Sequence, residues 1–275
     1  MKSYKELMTE GKVDPNFIKN FLKDISPFLK EIGGLKNIDK YILFRGIKKV
    51  KDPIITVRKN RRPLDTGKVM HKMLDDWFFD AFKHKHRSSS VFAIGNNRVA
   101  EGYGKVVAIF PIGKFSIAWS DDVPDLTSSI SDSSAIFLSK IVPKEYEIDW
   151  DGTVTLLSLE EMGEFIEDGV EEFVKRHFST KALAVWKKLK PSKKKDFWEE
   201  VIFNMEEEVI EQMNQWKYTD KDFIKAIESG NEIQIATNKY YVMSDSVMTS
   251  PFNQLKDNNP NADLFNMLAN LKKHK

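Results

Sequence analysis

The sequence predicts an α+β protein: a mixed β core carrying an N-terminal helix and an inserted block of helices. Three observations predict it. Short β-branched or alternating runs recur at Lys40–Lys48, Ser90–Ile94, Lys105–Pro111, Phe115–Trp119 and Asn231–Met243, bounded by Gly, Pro and Asn. Residues 14–32 carry apolar side chains at helical spacing. From Leu159 to about Gln215 the signal is almost entirely helical.

Taken in order, Met1–Glu10 is short and charged, and Gly11 ends it. Asp14–Ile32 places Phe17, Ile18, Phe21, Leu22, Ile25, Phe28, Leu29 and Ile32 on one helical face; Pro27 kinks or divides this helix, and Gly33-Gly34 closes it. Its polar face is of mixed charge, so the apolar face belongs on a core and not on a membrane surface. Lys40–Lys48 is a strand centred on Leu43-Phe44-Arg45-Gly46, and Pro53–Arg62 is a short strand with a basic loop. Asp65 or Thr66 caps a helix over 67–82. Ser90–Ile94 is a strand, Asn96 or Asn97 caps a short helix over Arg98–Tyr103, and Gly104 stops it. Two strands follow, joined by the turn at Pro111-Ile112-Gly113.

Asp121–Ser134, rich in Ser and Asp, reads as a loop, while Ala135–Val142 and Thr153–Leu159 read as strands. In the helical block Pro191-Ser192 starts a new helix. Asp220–Ser229 is a short helix ended by Gly230, and Asn231–Met243 a strand pair bent at Thr237-Asn238-Lys239. A small helix over Asp263–Leu271 closes the chain. The expected segments are 1–10, a helical segment 11–39, a first core part 40–144, a helical insertion 145–225, and last strands with a C-terminal helix at 226–275.

Composition narrows the function classes. The 275 residues are 41% hydrophobic and 31% charged with a formal charge of +2, which gives no overall bias toward nucleic acid or anionic lipid. The Lys187–Lys195 cluster reads as a solvated helix face in preference to a phosphate site. Zero cysteines remove disulfides, thiolate metal sites and a Cys nucleophile. His84 and His86 lack the spacing of two ligands on one helical face, Asp151-Gly152 lacks the rest of a calcium loop, and there is no Glu-x-x-His pair; no metal is expected. No apolar run approaches the roughly 20 residues that span a bilayer, and no secretory apolar core opens the chain.

Arg45 is the first polar residue that needs an explanation. Inside an apolar strand a guanidinium is costly unless paired, so it meets an acidic partner or faces an anionic ligand whose oxygens its fork matches. Glu232 raises the same question at the start of a late strand, where alternation puts Glu232 and Gln234 on one face and Ile233 and Ile235 on the other.

These segments, in this order, resemble the ADP-ribosyltransferase superfamily, in the branch carrying an Arg, a Ser-Thr-Ser strand and a Glu. The likeness rests on Phe44-Arg45-Gly46, on a strand followed by a short helix holding Ala100 and Tyr103, and on a strand ending in Pro111-Ile112-Gly113. A further strand with Ala118 and the run Glu232–Ile235 followed by Lys239–Tyr241 complete it. It covers Tyr41–Ser120 and Gly230–Ser244. The serines stand at Ser88-Ser89-Ser90, a few residues before the place the helix sets for them; an alignment on the helix puts Ala93-Ile94-Gly95 there instead. Met1, Lys2, Ser3, Tyr4, Glu6, Leu7, Met8 and Glu10 resemble the capsid-targeting peptides of internal head proteins of large myovirus-type phages, which a prohead protease cuts after a glutamate; Met8 stands where that protease usually meets Leu or Ile.

The resemblance implies an ADP-ribosyltransferase-like core with NAD as substrate. Glu232 would be the catalytic carboxylate, Arg45 the clamp on the diphosphate or ribose, and Ser88 or Ser90 the holder of the glutamate or ribose. Gly46, Gln234, Phe92 and Tyr103 would complete the NAD site, the two rings by stacking on nicotinamide. Arginine-modifying relatives carry an acidic residue two positions before the glutamate; here Gly230 stands there, with Glu228 two further away, which implies a different acceptor or net NAD hydrolysis. The expected setting is a phage head interior and then the host cytoplasm. The partners are NAD, a host macromolecule and, through residues 1–10, the capsid or prohead protease. A non-catalytic head protein or host-factor binder that keeps the fold is the second expectation.

Overall fold

The structure is a computed structural model that describes residues 8–9, 12–13, 15–49, 52–61, 66–132, 136–142 and 156–243. Strands β1 (Met8–Thr9) and β2 (Lys12–Val13) pair antiparallel, followed by α1 (Pro15–Asp24) and α2 (Ser26–Glu31). Of the kink or division expected at Pro27, the division occurs: Pro27 sits in the first turn of α2, where a missing N–H costs nothing. Next come β3 (Leu43–Ile47), β4 (Ile54–Thr56), α3 (Lys68–Phe82), α4 (His86–Ser89), β5 (Val91–Ile94) and α5 (Asn97–Glu101). Strands β6 (Lys105–Pro111) and β7 (Ser116–Trp119) precede α6 (Leu126–Ser131), β8 (Ile136–Phe137), α7 (Leu138–Ile141) and β9 (Leu156–Leu157). Helices α8 (Leu159–Asp168), α9 (Val170–His177), α10 (Thr180–Lys188), α11 (Pro191–Gln215) and α12 (Phe223–Ser229) lead to β10 (Glu232–Ala236) and β11 (Lys239–Met243). Residues 1–7, 10–11 and 244–275, which include the C-terminal helix and most of the N-terminal peptide expected from sequence, lie outside the described residues.

The protein is α+β, with an open antiparallel sheet, and the chain forms two compact units. The first comprises the described residues of 1–60, 88–124 and 218–275; the second those of 61–87 and 125–217. The helix-rich unit thus also draws in 61–87, which the sequence reading assigned to the core.

In the first unit seven strands lie in the order β4-β11-β6-β3-β5-β10-β7, every neighbour antiparallel. Ile233 and Ile235 sit opposite Ala93 and Val91 on one side and Trp119 and Ile117 on the other, forming an apolar stripe across three strands. Val107, Ala108, Ile109 and Phe110 are all fully buried, so β6 is covered on both faces and reads as an unbroken apolar run. Phe21 and Phe28 pack edge-on against Phe110 at 5.3 and 5.5 Å between ring centroids, and Phe28 also meets Phe223. Beside them the Tyr241 hydroxyl donates to Asp24 Oδ2 at 2.8 Å.

Two glycines set how closely helices approach this sheet. A Cβ on Gly46 would overlap the Ala100 carbonyl oxygen and lie 2.7 Å from Tyr103 Cβ, so α5 packs directly on the β3 backbone. A Cβ on Gly95 would overlap the Ile227 carbonyl oxygen, with the Ile227 carbonyl carbon at 2.6 Å.

The second unit is built by α3 and α6–α11. Ser158 and Glu161 form a reciprocal capping box at the start of α8, and Phe178, Trp186 and Phe197 form an aromatic cluster with centroids 5.2–5.9 Å apart. The stretch read from sequence as a loop contains α6, because the Asp125 side chain accepts from Ser128 N and Leu126 and Ile130 bury one face. Within the expected strands over 135–142 and 153–159, the described residues form the two-residue β8 and β9, each followed within one or two residues by a helix. A cavity of about 480 Å³ opens between α3 and α11 beside Trp77, whose indole N–H donates to Asn214 Oδ1 at 3.1 Å. No helix among the described residues is long and apolar enough to cross a membrane.

Candidate functional site

Three strands that are far apart in sequence bring the candidate residues together. β3 carries Arg45, β10 carries Glu232 and Gln234, and β5 lies between them. Glu232 stands opposite Ile94, and Ile94 stands opposite Phe44, so one transverse row runs Glu232, Ile94, Phe44. At about 4.8 Å per strand, the Cα atoms of Glu232 and Phe44 are about 10 Å apart.

The sheet is not uniform along this row. Five residue pairs join β3 to β6 and four join β5 to β10, but Phe44–Ile94 is the single pair joining β3 to β5. Beyond it the two strands part. Alternation starts the Arg45 side chain on the face opposite Phe44. Its guanidinium reaches β5, where Arg45 Nη1 donates to the Phe92 carbonyl oxygen at 2.8 Å. The guanidinium thereby replaces a ladder hydrogen bond that β3 no longer supplies. Arg45 Nε is buried and has no hydrogen-bond partner.

On the other side of β5, Phe92 lies opposite Gln234, and both share a face with Ile94 and Glu232. Glu232 is 8% exposed and Gln234 fully buried. Gln234 Nε2 donates to Glu232 Oε1 at 3.2 Å, and the other amide atom, Gln234 Oε1, is buried without a partner. The Glu232 backbone is pinned as well: its N–H donates to Pro124 O at 2.8 Å, and the Asn231 side chain donates to Ser120 O and Asp121 O at 3.0 Å each. Gly230, at φ 75°, makes the left-handed turn that leads from α12 into β10.

The remaining candidates stand elsewhere. Ser88 is on the helical turn α4, and Ser90, 2% exposed, immediately precedes β5. Ser90 is four residues from Ile94, about 13 Å along an extended strand, so neither serine occupies the position opposite Glu232. The residues there are Ala93-Ile94-Gly95, and Gly95 has no room for a side chain. Gly46 and Tyr103 meet each other where α5 seats on β3; the Tyr103 side chain is 54% exposed. Phe92, Glu232 and Gln234 therefore share one face of the sheet, while Arg45 starts from the other face and meets them only through the Phe92 carbonyl; Ser88 and Ser90 precede β5.

Ser88 and Ser90 precede the strand that pairs with β10, so register puts Ile94 opposite Glu232. The missed element was the direct link from Gln234 to Glu232. Its signal is two polar residues spaced by two on an otherwise apolar strand, which places them side by side on one face. Compared with protein-family models, with curated proteins and with solved structures, the chain matches none.

Proposed function

We propose that the first unit is an ADP-ribosyltransferase-like core that cleaves the nicotinamide–ribose bond of NAD and passes ADP-ribose to a host macromolecule or to water. The observation that supports this reading is the adjacency of β3, β5 and β10, with the Arg45 guanidinium bonded to the Phe92 carbonyl and Phe92 sharing a face with Glu232. Two buried polar atoms there lack protein partners, the Arg45 Nε donor and the Gln234 Oε1 acceptor. A nucleotide diphosphate and a ribose diol offer the complementary groups.

In that reaction the C1′–N bond breaks with its electron pair leaving on nicotinamide. Positive charge then develops on the ribose, as in glycoside hydrolysis. The Glu232 carboxylate beside the ribose stabilises that charge as it forms and accepts a hydrogen bond from a ribose hydroxyl. Arg45 offers its remaining N–H donors to the diphosphate. The acceptor attacks C1′ and releases its proton to solvent water, and neutral nicotinamide departs, which completes the transfer.

A specific observation favours a second reading. With Ala93-Ile94-Gly95 opposite Glu232 and no serine, the fold would serve as a non-catalytic head protein or host-factor binder. Incubation with NAD labelled in the adenylate moiety, with and without host lysate, separates the two. Transfer or hydrolysis by the wild type that Glu232→Gln abolishes supports the enzyme; neither reaction in the wild type leaves the binder. The packaging part of the proposal rests on residues 1–10 and predicts a virion protein whose first residue is Gly11, read by mass spectrometry of purified particles.

A further inference from the structure

We infer that Gln234 is the positioning residue of this site: it fixes the Glu232 carboxylate through one amide atom and offers the other to a ribose hydroxyl. This inference rests on the NAD reading above. In the family that the sequence resembles, holding the glutamate is what the serine motif implies, and here no serine stands opposite Glu232.

Three observations support Gln234 in this role. It lies two residues from Glu232 on the same face of β10, and Nε2 to Oε1 is 3.2 Å. It is 0% exposed, so its rotamer is fixed by its surroundings. The amide presents its NH2 group to Glu232, the arrangement that suits an ionised carboxylate, which only accepts. Oε1 is thereby directed away from the carboxylate, buried and without a partner. A buried acceptor without a donor is destabilising, and a ligand hydroxyl relieves it.

The class of ligand follows from the acceptors. A carboxylate and an amide oxygen on one strand face call for two hydroxyl donors on one ligand, and the cis-diol of a ribose supplies them. The carboxylate must lie near C1′ to act on the charge that forms there. It therefore takes the 2′-hydroxyl, and the 3′-hydroxyl falls to Gln234 Oε1.

The test uses the full chain, with NAD and with its analogue lacking the 3′-hydroxyl of the nicotinamide ribose as probes, binding read by calorimetry. The wild type should bind the analogue about 5- to 100-fold more weakly than NAD, the range for one hydrogen bond lost from a buried acceptor. Gln234→Leu should bind both alike. In NAD hydrolysis, Gln234→Leu should move the acid limb of the kcat/KM profile to higher pH, because the donor that favours charged Glu232 is gone. Gln234→Glu should move it further. A purely structural role would lower the melting temperature and move neither the binding ratio nor the limb. Hydrolysis that depends on Glu232, with both readouts unmoved in Gln234→Leu, overturns the inference and leaves the NAD reading standing. A wild type that neither binds nor hydrolyses NAD overturns both.

Discussion

Gly95→Ala should destabilise the first unit severely, and the structure gives the scale. The new Cβ would overlap the Ile227 carbonyl oxygen and lie 2.6 Å from its carbonyl carbon, where ordinary contact begins near 3.4 Å. The obstacle is helix backbone, so no side-chain rotation relieves it. Either α12 moves by well over an ångström or β5 bends. Moving α12 disturbs Phe223, Ala226 and Ile227, all part of the buried core, and the turn at Gly230 that aligns Glu232. Overpacking ordinarily costs about 1–3 kcal/mol, and a rigid backbone neighbour puts this case at about 3 kcal/mol or more. At about 2–4 °C per kcal/mol, the melting temperature should fall by about 6–12 °C. Gly102→Ala is the matched control. Gly102 has φ −60° and its nearest neighbour is Val99 O at 3.5 Å, so alanine fits and should stabilise by about 0.4–1 kcal/mol. Differential scanning calorimetry and urea titration of the two variants read the contrast. A Gly95→Ala protein melting within about 2 °C of the wild type would refute the reasoning. Gly95→Ser should behave like Gly95→Ala, so the motif cannot be restored at this position without moving α12.

Three further outcomes are expected. Burial and the hydrogen bond to Asp24 both push the Tyr241 hydroxyl well above its ordinary pKa of 10.0. A raised folded-state pKa gives stability that is complete below pH 10 and lost as pH rises beyond it; urea titrations at pH 8 and pH 11 should show that loss in the wild type and a smaller one in Tyr241→Phe. His177, between Phe165 and Phe173 at 4.6 and 5.2 Å, has its pKa lowered from 6.5 by burial and, secondarily, by Arg176. The second unit should therefore lose stability as pH falls below 6.5, and His177→Phe should flatten that slope in calorimetry. Asp125→Ala removes the cap that Ser128 N donates to and should cost about 0.5–2 kcal/mol, with faster amide exchange over Leu126–Ser131 as its local signature.

The core strands were legible because alternation and flanking turn residues act locally: β5, β6, β7, β10 and β11 all fall within a residue or two of their apolar runs. α6 was not, since Ser and Asp suit both loops and helix starts, and only the burial of Leu126 and Ile130 decides between them. Partnering was the larger gap. Nothing local says that β3 lies between β6 and β5, or that this second pairing stops after one residue pair. Arg45 illustrates the result. Its sequence context allowed an acidic partner or an anionic ligand, whereas its guanidinium meets a backbone carbonyl, a kind of partner that leaves no trace in composition. The place of Gly95 was equally hidden, because the atom that excludes a side chain comes from residue 227.

The parting of β3 and β5 has a consequence for recognition. A sheet ordinarily ends at its rim, in water; here one strand pairing inside the sheet stops after a single residue pair, and a guanidinium takes up a carbonyl beyond it. Main-chain groups along such an inner seam are supplied by every residue type except proline's missing N–H. A molecule gripped by them would keep its anchorage while the side chains around it change, so mutation could drift widely across this seam before the grip was lost.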